Sequence, residues 1–136
     1  MDIIEIIDAY VDAFVAFEIE INDSNLPYLQ ANVDNKYETM KAELEKADAR
    51  SLKICIDALE QAINAKRMEL DALSSRYALG VSQKNVATIN DNPYAEKRYD
   101  QMIEETLLSS RRVEIISEAY KEALKEATAI INRRRS

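Results

Sequence analysis

The chain of 136 residues has no histidine or tryptophan, and only one cysteine, one glycine and two prolines. That inventory removes the neutral-pH base used in most hydrolytic and transfer chemistry, any Ser/His or Cys/His pair, a zinc site of ordinary ligands and any glycine-rich phosphate loop. An apolar share of 47 % excludes a disordered chain, and the near absence of Gly and Pro favours long helices, so a single all-α domain is expected.

The net charge of −7 is uneven. Residues 1–35 hold eight acids (Asp2, Glu5, Asp8, Asp12, Glu18, Glu20, Asp23 and Asp34) and no Lys or Arg. An anionic membrane surface repels such a segment, and the apolar run from Ile3 to Phe17 is too short to cross a bilayer, so no membrane association is expected. No basic leader precedes that run, and lone Cys55, flanked by Ile54 and Ile56, forms no intramolecular disulfide; an intracellular, cytoplasmic protein is expected, virion-associated if viral. Without a histidine to lower its pKa, Cys55 reads as a small buried hydrophobe.

The first helix is predicted from about residue 3 to 21, with Asp2 as N-cap and Glu5 three residues on. Its acids at 5, 8 and 12 make one stripe. Ile3, Ile7, Tyr10, Phe14 and Phe17 belong to an apolar arc wider than one partner hides, so this helix is expected to be wedged between neighbours or to form an oligomer contact. The Phe17–Ile21 alternation also fits a short edge strand, but helix is the preferred reading. Asn22-Asp23-Ser24-Asn25-Leu26-Pro27 is a turn, with Pro27 opening the next helix.

No Gly or Pro interrupts residues 28–79. Val33, Tyr37, Met40, Leu44 and Ala47 keep four–three spacing, as do Leu52, Ile56, Leu59, Ile63, Leu70, Leu73 and Tyr77, but the two sets are out of register. A break is therefore expected near Ala47-Asp48-Ala49 with Asp48 as the new cap, one bent helix being the alternative. Gly80 is predicted to end the segment as a left-handed C′ residue, leaving residues 80–92 as a loop.

Asn92 is predicted to cap the last helix with Pro93 in its first turn. Ala95, Tyr99, Met102, Thr106, Ser109, Val113, Ile116, Tyr120, Ala123, Ala127 and Ile130 then read as a coiled-coil seam. As one helix, residues 93–132 reach about 60 Å, beyond the width of a compact domain of this length. The predicted architecture is an elongated antiparallel hairpin or bundle of three to four helices: an acidic helix and turn (1–26), one or two helices (27–79), a loop (80–92) and a long helix with an arginine tail (93–136).

No catalytic, metal-binding or cofactor-binding residues are assigned. Glu114, Glu118, Glu122 and Glu126 line one helix face, but Lys121 and Lys125 beside them point to a solvated, salt-bridged surface. Arg133, Arg134 and Arg135 suit the negative end of a helix dipole, or a phosphate or acidic partner. Apolar surface beyond what a thin bundle covers predicts a homo-oligomer. The primary functional expectation is a non-enzymatic, self-associating adaptor or assembly protein of phage or bacterial type that binds another protein, with Ile3, Ile7, Tyr10, Phe14, Phe17, Val113, Ile116 and Tyr120 as interface.

Bases interleaved with aromatics at one end of the hairpin suggest an alternative. Lys66, Arg67, Arg76, Tyr77, Lys97 and Arg98 would contact single-stranded DNA, charge meeting phosphate and rings stacking on bases. The run Ala65-Lys66-Arg67, Leu70-Asp71, Ser75-Arg76-Tyr77 and Gly80, a polar loop, and a long helix reaching Ile131-Asn132-Arg133 resembles the phage UvsY-type recombination mediators, as does Asp23-Ser24-Asn25-Leu26 with its Asp-x-x-Leu pattern. The resemblance implies a small helical ring-former that binds single-stranded DNA and helps load a RecA-like recombinase, with Lys66, Arg67 and Arg76 as contacts. The family's Tyr-Tyr-Ser/Thr-Gly signature is replaced here by Ser74–Gly80. A third reading makes the acidic segment 1–35 a nucleic-acid mimic that inhibits another protein.

Overall fold

The computed structural model describes residues 2–135. The fold is all-α: α1 (Ile3–Glu20), α2 (Leu26–Lys46), α3 (Ala49–Ile89) and α4 (Pro93–Arg135), with no strand among the described residues. Asp2 opens α1, its Oδ1 accepting from the Glu5 amide at 2.9 Å. Between α1 and α2, Asn22 Oδ1 accepts from the Ser24 and Asn25 amides at 3.0 Å each, and Asn25 Nδ2 donates back to the Glu20 carbonyl at 2.8 Å. One asparagine organises the turn and the other satisfies a carbonyl left open at the end of α1.

The break between α2 and α3 falls where the two apolar registers disagree. Asp48 Oδ1 accepts from the Ser51 amide at 2.7 Å, which holds the carboxyl below its usual range. Residues 28–79 therefore belong to two helices.

Two compact units divide the chain, one built from residues up to Ala65 together with those from Ile115 on, the other from Lys66–Glu114. In the first, Ile7, Tyr10 and Val11 of α1, Met40 and Leu44 of α2, and Leu52, Cys55 and Leu59 of α3 close on Ile115, Ala119, Ala123, Ala127 and Ile130 of α4. The three alanines are fully buried, and their small side chains let neighbouring helices approach α4 closely. Each large aliphatic side chain hidden here contributes about 1.5–3 kcal/mol relative to exposure. Burial also pushes the Cys55 thiol up, keeping it protonated and inert.

The second unit is a helical hairpin formed by residues 66–89 and 93–114. Here the structure corrects the expected loop at 80–92, because α3 continues through Gly80 to Ile89. Gly80 has no left-handed φ and is buried. It belongs to the packing seam: Leu70, Leu73, Tyr77, Gly80, Lys84 and Ala87 sustain four–three spacing across the position where a terminus was expected. The left-handed C′ residue is Asp91, at φ 51°. The Asn92 amide donates to the Ala87 carbonyl at 2.9 Å and the Asp91 amide to the Thr88 carbonyl at 3.1 Å, a Schellman closure. Asn92 Oδ1 then accepts from the Ala95 amide at 3.2 Å, capping α4 as the sequence predicts. On the α4 side of the seam Thr106 is buried, its hydroxyl donating to the Met102 carbonyl at 2.7 Å, whereas Ser109 is exposed and stands outside the seam.

Candidate interaction surface

Several of the apolar residues expected at an interface are used inside the chain. Ile7 and Tyr10 are 1 % and 3 % exposed, and Ile3, Phe14, Ile116 and Tyr120 pack against the same core. Phe17 and Val113 are half-buried. The wide apolar arc of α1 is wide because α1 packs into a multi-helix core, so its central residues are unavailable to a partner. Among the described residues of α1 and the turn after it, Ile4, Ile19 and Ile21 stay exposed at its margins.

The glutamate face of α4 is not simply solvated. The Tyr37 hydroxyl donates to Glu126 and lies 3.4 Å from Glu122. Tyr37 also packs against Tyr10 with the rings tilted, their centroids 5.6 Å apart, and carries Lys41 Nζ 5.3 Å from its own ring centre. Burial first, then Glu122 and Glu126, push the Tyr10 phenol up to about 12. This aromatic–carboxylate knot ties α2 and α1 to α4.

The arginine tail is tied down too. Arg133 pairs with Glu45, while Arg134 donates to the Ala47 and Glu45 carbonyls at 2.8 Å each. These carbonyls belong to the last turn and C-cap of α2, so Arg134 supplies donors that the helix lacks there. A groove of about 660 Å³ between the start of α3 and the end of α4 is lined by residues of both signs, Lys53 and Arg135 against Asp57 and Glu60. Among the described residues no cluster of Cys, Asp and Glu is arranged to hold a metal ion, and no helix is long and apolar enough to cross a membrane.

The bases proposed to contact DNA do not converge. Within the hairpin, Gly80 faces Ile103 and Lys84 pairs with Asp100 at 2.6 Å, which fixes the register. Arg76 therefore lies level with residues near 107, about ten residues or 15 Å along the axis from Lys97 and Arg98. The expected proximity assumed an apex beginning at residue 80, and extension of α3 to Ile89 removes it. Lys97 and Arg98 are adjacent and so point about 100° apart on α4. Lys66 pairs with Glu69 at 3.2 Å, and Tyr77, a seam residue, is 40 % exposed.

What the hairpin does present is a second stripe, uncharged throughout and apolar at four of its six positions. Ala72, Ser75, Leu79, Ser82, Val86 and Ile89 again follow four–three spacing, on the face of α3 opposite its seam with α4, and all are exposed. Leu79, Val86 and Ile89 are 53 %, 51 % and 82 % exposed. From Ala72 to Ile89 the only charged residues are Arg76 and Lys84, the latter held by Asp100. A solvent-facing helix ordinarily carries its charge opposite the buried stripe, and one that is apolar on both faces is normally covered on both. Sequence reading missed this stripe because a terminus at Gly80 cuts it in half; the signal was present in the uncharged run Val81-Ser82-Gln83 and in Val86 and Ile89.

The unit that bears the stripe is also electrically distinct. Lys66–Glu114 contains eight basic and eight acidic residues, so the remainder of the chain carries the whole net charge of −7. No protein-family model, curated protein or solved structure matches the chain.

Proposed function

We propose that this chain is a self-associating helical assembly protein without catalytic activity, and that it associates through the outer face of α3 in the hairpin. One observation carries the reading: six residues from Ala72 to Ile89 form an exposed, uncharged stripe with the spacing of a helix-packing seam. Net neutrality of the hairpin supports it, since uncharged surfaces meet without Coulomb cost whereas the acidic remainder keeps the protein soluble. The proposal moves the interface from the centre of α1, which the core uses, to α3.

Sedimentation velocity on the wild-type chain and on Leu79→Glu and Val86→Glu tests the reading. Wild type is expected to sediment above the mass of one chain and both variants as monomers with unchanged helical circular dichroism. Variants that keep the wild-type mass would move the interface elsewhere, and a monomeric wild type at tens of micromolar would end the reading.

A further inference from the structure

Resting on that reading, we propose that the occupant of the α3 stripe is the same stripe of a second copy, antiparallel, with the twofold axis between Leu79 and Ser82. Size complementarity selects this pairing. With alternate stripe positions of one helix set against those of an antiparallel copy, one register places Ala72 against Ile89, Ser75 against Val86 and Leu79 against Ser82. Each layer then joins a small side chain to a large one, and twofold symmetry repeats the three pairs as six layers. Such layers fill space at the short interaxial distance of about 8 Å that small residues permit. The neighbouring antiparallel register sets Ala72 against Ser82, small on small, at both ends of the contact and takes Val86 and Ile89 beyond the stripe of the second copy.

Charge selects the same direction. The chain enters and leaves the hairpin at Lys66 and Glu114, so the remainder with its net charge of −7 is attached at the end away from the apex. Parallel pairing would bring both attachment points about 8–10 Å apart, close to one Debye length at physiological salt. The antiparallel register separates the two Lys66 positions by about 44 Å along the axis, where screening removes most of the repulsion. Arg76 and Lys84 are the only charged residues in the paired span, and Lys84 is held by Asp100 of its own chain.

Cysteine cross-linking in the full chain distinguishes the arrangements, because native Cys55 is fully buried. Under mild oxidation Ser75→Cys alone and Val86→Cys alone are expected to stay uncross-linked, since each residue lies about 16 Å along the axis from its own symmetry mate. Their equimolar mixture is expected to give a covalent dimer containing one chain of each. Disulfides formed by a single variant, or none in the mixture while the sedimenting mass remains that of an oligomer, would overturn this pairing and leave self-association standing. A monomeric wild type would overturn both.

A size swap gives a second readout. Leu79→Ser is expected to raise the dimer dissociation constant at least about tenfold, and adding Ser82→Leu in the same chain to restore it, because the layer again holds one large and one small side chain. Failure of the second change to restore affinity would also overturn the pairing.

Discussion

Gly80 of α3 packs so closely against Ile103 of α4 that a β-carbon at position 80 would stand 3.1 Å from Ile103 Cγ1. This approach, with Met102 Cε next at 3.7 Å, sets how near the two arms of the hairpin come. Glycine is here for space rather than for backbone freedom.

Substitution at Gly80 separates those two roles. Alanine gains about 1 kcal/mol of helix propensity and must push the half-buried Ile103 side chain back by a few tenths of an ångström, so Gly80→Ala is expected within about 1 kcal/mol of wild type. Gly80→Leu is expected to lose about 1–3 kcal/mol or more through overpacking. Urea unfolding checks both. A glycine ending the helix would instead make alanine clearly destabilising and leucine no worse than alanine.

Tyr37→Phe is expected to lower stability by about 1–2 kcal/mol, since it removes the hydroxyl shared by Glu126 and Glu122 while keeping the ring against Tyr10. In a double-mutant cycle with Glu126→Gln, most of that loss should disappear when Gln is already present. Additive losses would mean that the hydroxyl acts through the ring environment alone.

Alkaline titration should find Tyr10 late. Its folded value of about 12 lies above the ordinary phenol value of about 10, and burial and neighbouring carboxylates push Tyr37 upward as well. The native state therefore holds these protons more tightly than the unfolded state. Their contribution is complete below about pH 10 and is lost as pH rises towards 12. Ultraviolet titration should show Tyr10 ionising well above the ordinary phenol value, with unfolding in that window; ionisation of Tyr10 at the ordinary value in the folded chain would contradict the buried position.

Arg134→Ala removes both donors to the end of α2 and is expected to cost about 1 kcal/mol, modest because the guanidinium is exposed. Arg134→Lys should recover only part, an ammonium lacking the planar fork that reaches two carbonyls at once. Hydrogen exchange at the amides of Lys46–Ala49 provides a local readout. Protection there that is indifferent to both changes would show the contact to be incidental.

Single-stranded DNA tests the rival reading. Because the hairpin is neutral and its bases are spread along the axis, fluorescence anisotropy of a labelled oligonucleotide is expected to stay flat at low salt. Tight binding that weakens steeply with salt and is abolished by Lys66→Ala with Arg67→Ala would restore the mediator reading.

The helical class, the break at Ala47–Ala49, the caps Asp2, Asp48 and Asn92, and burial of Cys55 are legible in the amino-acid order alone. These depend on spacing and on contacts reaching three or four residues along the chain, which a sequence displays directly. Tertiary structure decided the rest. Gly80 reads as a stop until Ile103 lies across from it, and Ile7 and Tyr10 read equally as core or as oligomer contact until α2 and α4 close over them. The same holds for Glu126, a solvated charge until Tyr37, 89 residues away, points its hydroxyl at it. Periodicity tells which side chains share a face, but only packing tells which faces are already covered, and the α3 stripe is among those that this fold leaves exposed in the hairpin, as are Leu107 and Leu108 of α4.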